Sequence, residues 1–404
     1  MEFAEIIDLI SQARQVLTNN IHRTPLVYST YLSELVGKNV YVKLENLQKT
    51  GSFKVRGAFF KIHTLLPEAR ERGVVAASSG NHAQGVAYSA SRLEVPAIIV
   101  MPETAPPYKV NATRSYGAEV ILHGKVYDDA YMEAVKISKE KGAFFIHPFD
   151  DPYVIAGQGT IGMEIVEDLP NVDTILVPVG GGGLISGIAL GARSVRGGNY
   201  PRIIAVEPTT APKLVEALKV GRPVKIEPGP SLADGVITKS IGRLTYEIIR
   251  SYVDEALTVE EDWIARAIFM LLERMKLLSE GAGALPVAAL LKYGKNLPGD
   301  NVVAVISGGN ADLTTLYRVI LRGLMGEGRI FRVALLLRDV PGALESVLEA
   351  IAEKRCNILE IQHERFDPTI KPGYAKVVIL MEAPSKEVAE EAIHEISNRG
   401  VEVV

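Results

Sequence analysis

The stretch that decides the fold is VPVGGGGLISG, from Val177 to Gly187, in which an apolar run leads into four glycines and then a helical pattern. Glycine lets the backbone adopt positive φ and lets N–H groups approach an anion closely. The helix that follows adds its positive end to the same turn. The sequence therefore predicts a phosphate-binding turn between a strand and a helix.

Other glycine-rich turns fit this stretch less well. A dinucleotide fingerprint needs GxGxxG, and counted from Gly181 its third glycine is replaced by Ser186. A P-loop needs a lysine where Ile188 stands, and a plain tight turn would need one glycine only. Four glycines without a lysine fit best a small monophosphate held by backbone amides.

Short apolar runs alternate with helical patterns on both sides of this turn. Their near-continuous apolar character predicts buried parallel strands covered on both faces. The order indicates a doubly wound α/β fold, in which sites form at the carboxyl ends of strands. The predicted strands are Val74–Ser78, Ala97–Pro102, Glu119–Gly124, Thr174–Val179, Ile203–Pro208 and Asn301–Ser307.

The alternation of strand and helix patterns changes after GLMGEGR, residues 323–329, which is predicted to be a linker. Residues 330–404 then show the order strand, helix, strand, strand, helix, strand. This βαββαβ order is the ferredoxin-like unit. The chain is therefore predicted to have a catalytic region over residues 1–322 and a small C-terminal domain.

The composition excludes several classes of protein. The 404 residues are 47% hydrophobic and 23% charged with a net charge of −4, which argues against nucleic acid as a partner. The single cysteine, Cys356, excludes an intrachain disulfide, and the seven histidines show no zinc spacing. No apolar run approaches the roughly 20 residues of a membrane span, and no targeting segment opens the chain. A cytoplasmic protein without a metal site is expected.

Two further motifs also follow predicted strands. SSGNHAQG, from Ser78 to Gly85, places hydroxyls and an amide at a helix start, which suits a carboxylate or an oxyanion. SGGN begins at Ser307. A helix N-cap is the alternative reading of the serines in each motif, and His82 alone is more typical of a structural histidine.

Lys54 lies in TGSFKVRGAF, between Phe53 and Arg56. A lone lysine is normally solvated. Burial against the aromatic neighbour would lower the pKa of Lys54, and so would a nearby cation. The amine could then form a Schiff base. A Schiff-base lysine together with a monophosphate turn points to pyridoxal 5′-phosphate.

The motifs SFKVRGA, SSGNHAQG, VGGGGLISG and SGGN, in this order, resemble the fold type II pyridoxal 5′-phosphate enzymes of the threonine/serine dehydratase group. HRTPL, VEP and SLADG extend the resemblance over residues 1–322. It implies two doubly wound subdomains, the smaller one, roughly residues 46–150, being inserted in the larger.

The resemblance also implies residue roles. Lys54 would hold the cofactor covalently and act as general base, with Ser79 as the second catalytic group. Phe53 would pack beside the cofactor ring, and Asn81 would bind its 3′-oxygen. Ser307 would face the pyridine nitrogen. The phosphate would be bound by Gly180, Gly181, Gly182, Gly183 and Leu184, and the substrate carboxylate by Ser78, Ser79, Asn81 and His82.

The activity implied is dehydration and deamination of L-threonine to 2-oxobutanoate and ammonia, with L-serine giving pyruvate. A serine racemase and a non-catalytic amino-acid sensor are the alternatives. A homodimer or homotetramer is expected. Relatives with a divalent metal carry a glutamate and, about six positions on, an aspartate. Here Glu207 is followed by Lys213, so a monovalent cation or no cation is expected.

The C-terminal segment RDVPGAL, Arg338 to Leu344, resembles the turn of an ACT domain, which implies an amino-acid effector. A ferredoxin-like domain used only for oligomerisation is the alternative. Threonine dehydratases that serve isoleucine synthesis usually carry a duplicated regulatory region, whereas this chain has about one unit. The sequence therefore leaves both the effector and the choice between a biosynthetic and a catabolic role open.

Overall fold

The computed structural model describes residues 2–196, 201–366 and 368–404. The chain forms two compact units, Met1–Asp312 and Leu313–Val404. Within the described residues, no helix has the length and apolar character needed to cross a membrane.

The first unit alternates strands and helices along most of its length. Its strands are β1 Leu26–Tyr28, β2 Asn39–Leu44, β3 Val74–Ala77, β4 Ala97–Met101, β5 Glu119–Leu122, β6 Phe144–Phe145, β7 Thr174–Pro178, β8 Arg202–Pro208, β9 Glu255–Val259 and β10 Asn301–Ile306. Its helices are α1 Phe3–Leu17, α2 Thr30–Val36, α3 Lys54–Thr64, α4 Glu68–Arg72, α5 Asn81–Arg92, α6 Pro107–Ser115, α7 Tyr127–Lys141, α8 Pro152–Asp168, α9 Gly183–Arg196, α10 Lys213–Val220, α11 Arg243–Tyr252, α12 Glu261–Met275 and α13 Gly281–Tyr293.

Two sheets organise this unit. One has the order β1-β2-β10-β7-β8-β9 and is parallel except for β1. The other has the order β5-β4-β3-β6, is wholly parallel, and lies in the chain between β2 and β7. Every residue of the central strand β7 is buried, as its continuous apolar sequence predicts. The doubly wound α/β prediction is confirmed.

The six predicted strands are all present as β3, β4, β5, β7, β8 and β10, with ends within two residues of the prediction. The strands that the apolar runs did not indicate are β1, β2, β6 and β9. Of these, β1, β6 and β9 lie at sheet edges, where less of a strand is covered. A short or half-covered edge strand gives a weak apolar signal.

The second unit contains α14 Leu313–Gly326, β11 Ile330–Arg338, α15 Ala343–Glu353, β12 Asn357–Glu364, β13 Tyr374–Glu382, α16 Lys386–Asn398 and β14 Glu402–Val403. From β11 onward, the order is the predicted βαββαβ, and the antiparallel sheet runs β12-β13-β11-β14. These elements form a small ferredoxin-like domain with its own apolar core.

The predicted linker, residues 323–329, is wrong in its first four residues. Helix α14 continues to Gly326, and the division between the two units falls before it, at Asp312. Leu316 and Val319 form a buried stripe on this helix at helical spacing. The two glycines near its end obscured that stripe in the sequence.

Candidate active site

One cavity of about 610 Å³ lies in the first unit, at the carboxyl ends of β3, β7 and β10. Every site residue predicted from the sequence lines it. These residues are Phe53, Lys54, Ser78, Ser79, Asn81, His82, Gly180, Gly181, Gly182, Gly183, Leu184 and Ser307. Segments separated by more than 250 positions in the chain therefore meet at one site.

Lys54 is the first residue of α3 and its side chain is half-buried in the cavity wall. Its Nζ donates a hydrogen bond to the carbonyl of Pro148, at 2.8 Å, and lies 5.2 Å from the centre of the Phe53 ring. Burial lowers the pKa of Lys54 to about 8, opposed by the negative charge of Glu280. A substantial neutral fraction of the amine is therefore present near pH 7–8.

Arg56 is not the cation that activates Lys54. Its side chain is fully buried and its Nε and Nη2 donate to the two oxygens of Glu45, each at 2.8 Å. Nη1 and Nη2 donate to Glu164 at 2.7 and 2.9 Å. Because two carboxylates neutralise the guanidinium, desolvation alone lowers the Lys54 pKa. Arg56 anchors the start of α3 to the turn that follows β2 and to α8.

The glycine loop connects β7 to α9 through close packing. Gly182 has φ of +97°, a conformation that favours glycine. A Cβ at Gly181 would lie 2.3–2.4 Å from three atoms of the Phe149 ring, and one at Gly183 would lie 2.9 Å from the Phe149 carbonyl oxygen. The first turn of α9 leaves N–H groups without helical acceptors. The loop is a backbone cradle at a helix N-terminus, which fits a phosphate.

The serines of SSGN do not cap α5, so the capping alternative is wrong for this motif. The N-cap of α5 is Gly80, whose N–H donates to the Ser78 hydroxyl at 3.1 Å. Ser78 and Ser79 remain in the cavity wall. Capping is also wrong for Ser307, because the next helix begins at Leu313. The hydroxyl-bearing residues of both motifs thus face the cavity.

His82 is buried and its Nε2 donates to the carbonyl of Ile146 at 2.9 Å. Burial lowers the pKa of His82 to about 3, helped by the positive charge of Lys54. The imidazole is therefore neutral, and its Nδ1 is a buried nitrogen without a hydrogen-bond donor among the described residues. This supports a structural role for the imidazole.

Glu280 was missed by the sequence reasoning. It is the N-cap residue of α13, and its Oε1 accepts a hydrogen bond from Asn81 Nδ2 at 2.7 Å. Asn310 Nδ2 in turn donates to Asn81 Oδ1 at 2.8 Å. Burial raises the pKa of Glu280 to about 7, with a further contribution from the charge of Asp234. A single glutamate before a Gly/Ala-rich helix gives no motif, so only the fold reveals it.

The site beside Glu207 does not fit a free cation. Lys213 Nζ lies 3.0 Å from Glu207 Oε1, and both side chains are fully buried. The sequence predicted a monovalent ion or none at this position, and the structure places the lysine ammonium there. No group of three or more His, Cys, Asp or Glu side chains suited to a metal ion occurs in the part of the chain that the structure describes.

The fold and the site define a class of protein. Residues 17–308 match the family of pyridoxal-phosphate dependent enzymes, and the chain belongs to that family, with fold type II architecture. The lysine at the cavity wall and the backbone cradle fit the aldehyde and the phosphate of this cofactor.

Three named proteins are similar to this chain over most of its length. The chain is 47% identical over 394 residues to the L-threonine ammonia-lyase of Thermotoga maritima, covering 98% of each protein. It resembles the processed form of threonine deaminase isoform 2 from Solanum lycopersicum, with a TM-score of 0.75 and 36% identity, over 79% of this chain and 93% of the other. Maize serine racemase is similar too, with a TM-score of 0.73 and 37% identity, over 79% and 98%.

Proposed function

We propose that this chain converts L-threonine to 2-oxobutanoate and ammonia, and L-serine to pyruvate as a second activity. The observation that carries the proposal is that Lys54, the glycine loop and Ser307 line one cavity. The high identity to an L-threonine ammonia-lyase over nearly the whole chain supports the choice of substrate.

Lys54 would hold the cofactor covalently, with Phe53 beside the ring. Gly180–Gly183 and Leu184 would bind its phosphate, Asn81 its 3′-oxygen, and Ser307 its pyridine nitrogen. Pyridoxal 5′-phosphate, when bound, supplies an electron sink that weakens the Cα–H bond of an attached amino acid.

Protons are moved by the chain's own residues. Lys54 Nζ, as the neutral amine, takes the proton from the substrate Cα, a task suited to an amine with a pKa of about 8. The substrate carboxylate lies at the N-terminus of α5, near Ser78, Ser79 and Asn81, with His82 behind them. Ser79 is the second proton-carrying group at this end of the cavity.

The reaction first removes one water from the substrate and then uses one water. The Cβ–O bond breaks and the hydroxyl leaves as water with one proton. The released enamine is protonated at Cβ and is hydrolysed by one water to the 2-oxo acid and ammonia. The net reaction therefore consumes no water and needs no oxidant.

The experiment that tests the proposal compares two lysine variants. Lys54→Ala should form no 2-oxobutanoate, and after borohydride reduction of the wild type, mass spectrometry should find the cofactor on Lys54. The matched control is Lys219→Ala, an exposed lysine on α10 that pairs with Glu216. A colourless wild-type protein, or substantial product from Lys54→Ala, would contradict the proposal and favour an amino-acid sensor.

A serine racemase is separated from a dehydratase by its product. The wild type is incubated with L-serine and with L-threonine, and D-serine is measured alongside the 2-oxo acids. We expect 2-oxo acids to dominate. Dominant D-serine would make the racemase the better assignment, in line with the similarity to the maize enzyme.

The C-terminal unit is proposed to be an ACT-like regulatory domain. DVPGAL, Asp339 to Leu344, forms the turn between β11 and α15 and the first two residues of that helix, and its Gly342 has φ of +86°. A chain ending at Asp312 should remain active but lose any response to isoleucine or valine. If the full-length enzyme ignores every amino acid tested, the unit is structural.

Assembly and location complete the proposal. A homodimer or homotetramer is expected, and light scattering of the purified protein distinguishes the two. A cytoplasmic location agrees with the single cysteine, Cys356, which is unpaired and buried. No nucleic acid or membrane partner is proposed.

A further inference from the structure

Lys213 is a fully buried lysine directly behind the glycine loop. It is the first residue of α10, and none of its side chain is exposed. Its Nζ lies 2.9 Å from the Val179 carbonyl oxygen, 3.0 Å from Glu207 Oε1 and 3.3 Å from the Ala211 carbonyl oxygen. An ammonium has three N–H donors, so these three oxygens account for all of them.

Glu207 is held as firmly as the lysine. It lies in β8, and its carboxylate also accepts the backbone N–H of Leu214, at 3.0 Å from each oxygen, and that of Val215, at 3.2 Å. The start of α10 therefore fixes both the carboxylate and the ammonium. The ammonium in turn bridges the end of β8 to the residue that precedes the glycine loop.

The carbonyl that Lys213 binds sets the direction of a loop N–H. In a trans peptide, the C=O of one residue and the N–H of the next point in opposite directions. Val179 is fully buried, and its carbonyl is drawn into the interior by Lys213, so the N–H of Gly180 points the other way. Gly180 lines the cavity.

Thr245 acts in the same manner on the Gly181 carbonyl, two residues further on. Its hydroxyl donates to the Gly181 carbonyl oxygen at 2.8 Å, which fixes the N–H of Gly182, another residue of the cavity wall. The carbonyls of Val179 and Gly181 are thus both held by side chains from outside the loop. The N–H groups that follow them remain for an anion in the cavity.

We propose that Lys213 is an internal cation that positions the glycine loop. Its ammonium binds a carboxylate and two carbonyl oxygens, the type of oxygen set that also holds a free cation. The chain therefore binds the phosphate of its cofactor without a free monovalent cation. A buried ion pair adds little net stability, which leaves positioning as the reason for this one.

The proposal rests on cofactor binding, the first part of the proposed function, and is independent of the identity of the amino-acid substrate. The dissociation constant of pyridoxal 5′-phosphate for the cofactor-free wild type is measured in sodium, potassium and tetramethylammonium chloride at equal ionic strength. We expect values that agree within about twofold, a change small enough to be an ionic-strength effect. A tenfold gain in potassium would overturn the proposal, whereas no binding in any salt would instead overturn the proposed function.

Two variants at the same position then separate charge from packing. Lys213→Ala leaves an oxygen-lined hole, so affinity should fall at least about tenfold in tetramethylammonium, the loss of a hydrogen bond to a charged group, and recover when potassium is added. Lys213→Met fills the hole without a charge and should lose affinity without recovery. Unchanged affinity in Lys213→Ala, or a loss that no cation restores, would contradict the proposal.

Matched controls guard against a general structural effect. Thr245→Val removes the neutral bond to the Gly181 carbonyl and should weaken binding equally in every salt. Lys219→Ala, on the exposed side of α10, should change nothing. If Lys213→Ala does not fold, the double variant Glu207→Gln/Lys213→Met leaves no unpaired buried charge, and it should fold, bind weakly and ignore potassium. Wild-type-like affinity in that double variant would also refute the role.

Discussion

Replacing Arg56 by methionine should destabilise the protein strongly without changing the pKa of Lys54. Arg56 makes four charged contacts of 2.7–2.9 Å to Glu45 and Glu164. Its loss leaves Glu45, which is fully buried, without a cation, whereas Glu164 keeps Lys43 at 2.6 Å. Removing one partner of a buried pair costs about 3–5 kcal/mol, so the free energy of unfolding should fall by that amount.

The assay has two readouts. Urea denaturation gives the free energy of unfolding, and the pH dependence of the rate at which the cofactor-free protein takes up pyridoxal 5′-phosphate gives the apparent pKa of Lys54. That pKa should stay at about 8 in the variant, because burial and not Arg56 lowers it. The double variant Arg56→Met/Glu45→Gln should recover about 1–3 kcal/mol, since it leaves no unpaired charge at residue 45.

Lys61→Met is the matched control on the same helix. Lys61 pairs with Asp151 at 2.7 Å, but both side chains keep some contact with solvent, so the loss should be smaller than that of Arg56→Met. The reasoning would be refuted if Arg56→Met raised the pKa of Lys54 by a full unit while costing no more stability than Lys61→Met. Arg56 would then be the activating cation after all.

Three further outcomes follow from the site. The pKa of Lys54 in the folded protein, about 8, lies below its ordinary value of 10.5. The free energy of unfolding of the cofactor-free protein should therefore rise by up to about 3 kcal/mol between pH 8 and 10.5. In urea titrations, Lys54→Met should remove that rise. The pKa of Glu280 in the folded protein, about 7, lies above its ordinary value of 4.5. The free energy of unfolding should therefore fall by about 2–3 kcal/mol from pH 4.5 to 7, and Glu280→Gln should abolish that fall. Gly181→Ala should lose its visible cofactor absorbance on dialysis because the methyl group overlaps Phe149, whereas Gly326→Ala, which meets nothing within 4 Å, should keep it. Either pH prediction would be contradicted if the free energy of unfolding of the variant and that of the wild type differed by a constant amount across the pH range. The third would be contradicted if Gly181→Ala kept its yellow cofactor colour after dialysis.

The sequence predicts the central strands and the turns after them because both are local features. A strand buried on two faces needs a continuous apolar run, and β7 shows one from Thr174 to Pro178. The turn after it needs positive φ at Gly182 and open backbone at its neighbours. Both requirements concern consecutive residues, so they can be recognised in the sequence.

What the sequence hides are pairings between distant segments. Strand β2 went unrecognised because its Lys43 interrupts the apolar pattern, although that lysine is fully buried against Glu164, 121 positions away. Glu280 reaches Asn81 across 199 positions. Neither pair has a spacing that a motif could record, since only the folded sheet brings the partners together.

The same reasoning explains which lysine is reactive. Lys43, Lys54 and Lys213 are all lysines in largely apolar surroundings, and only Lys54 lies in one of the motifs that predict the site. In the structure, Lys43 and Lys213 each bond to a carboxylate, at 2.6 and 3.0 Å, whereas Lys54 Nζ bonds to the neutral carbonyl of Pro148. A bonded carboxylate stabilises the protonated amine, and a carbonyl does so much less. Lys54 can therefore give up its proton because burial disfavours its charge and its Nζ bonds to a carbonyl rather than to a carboxylate.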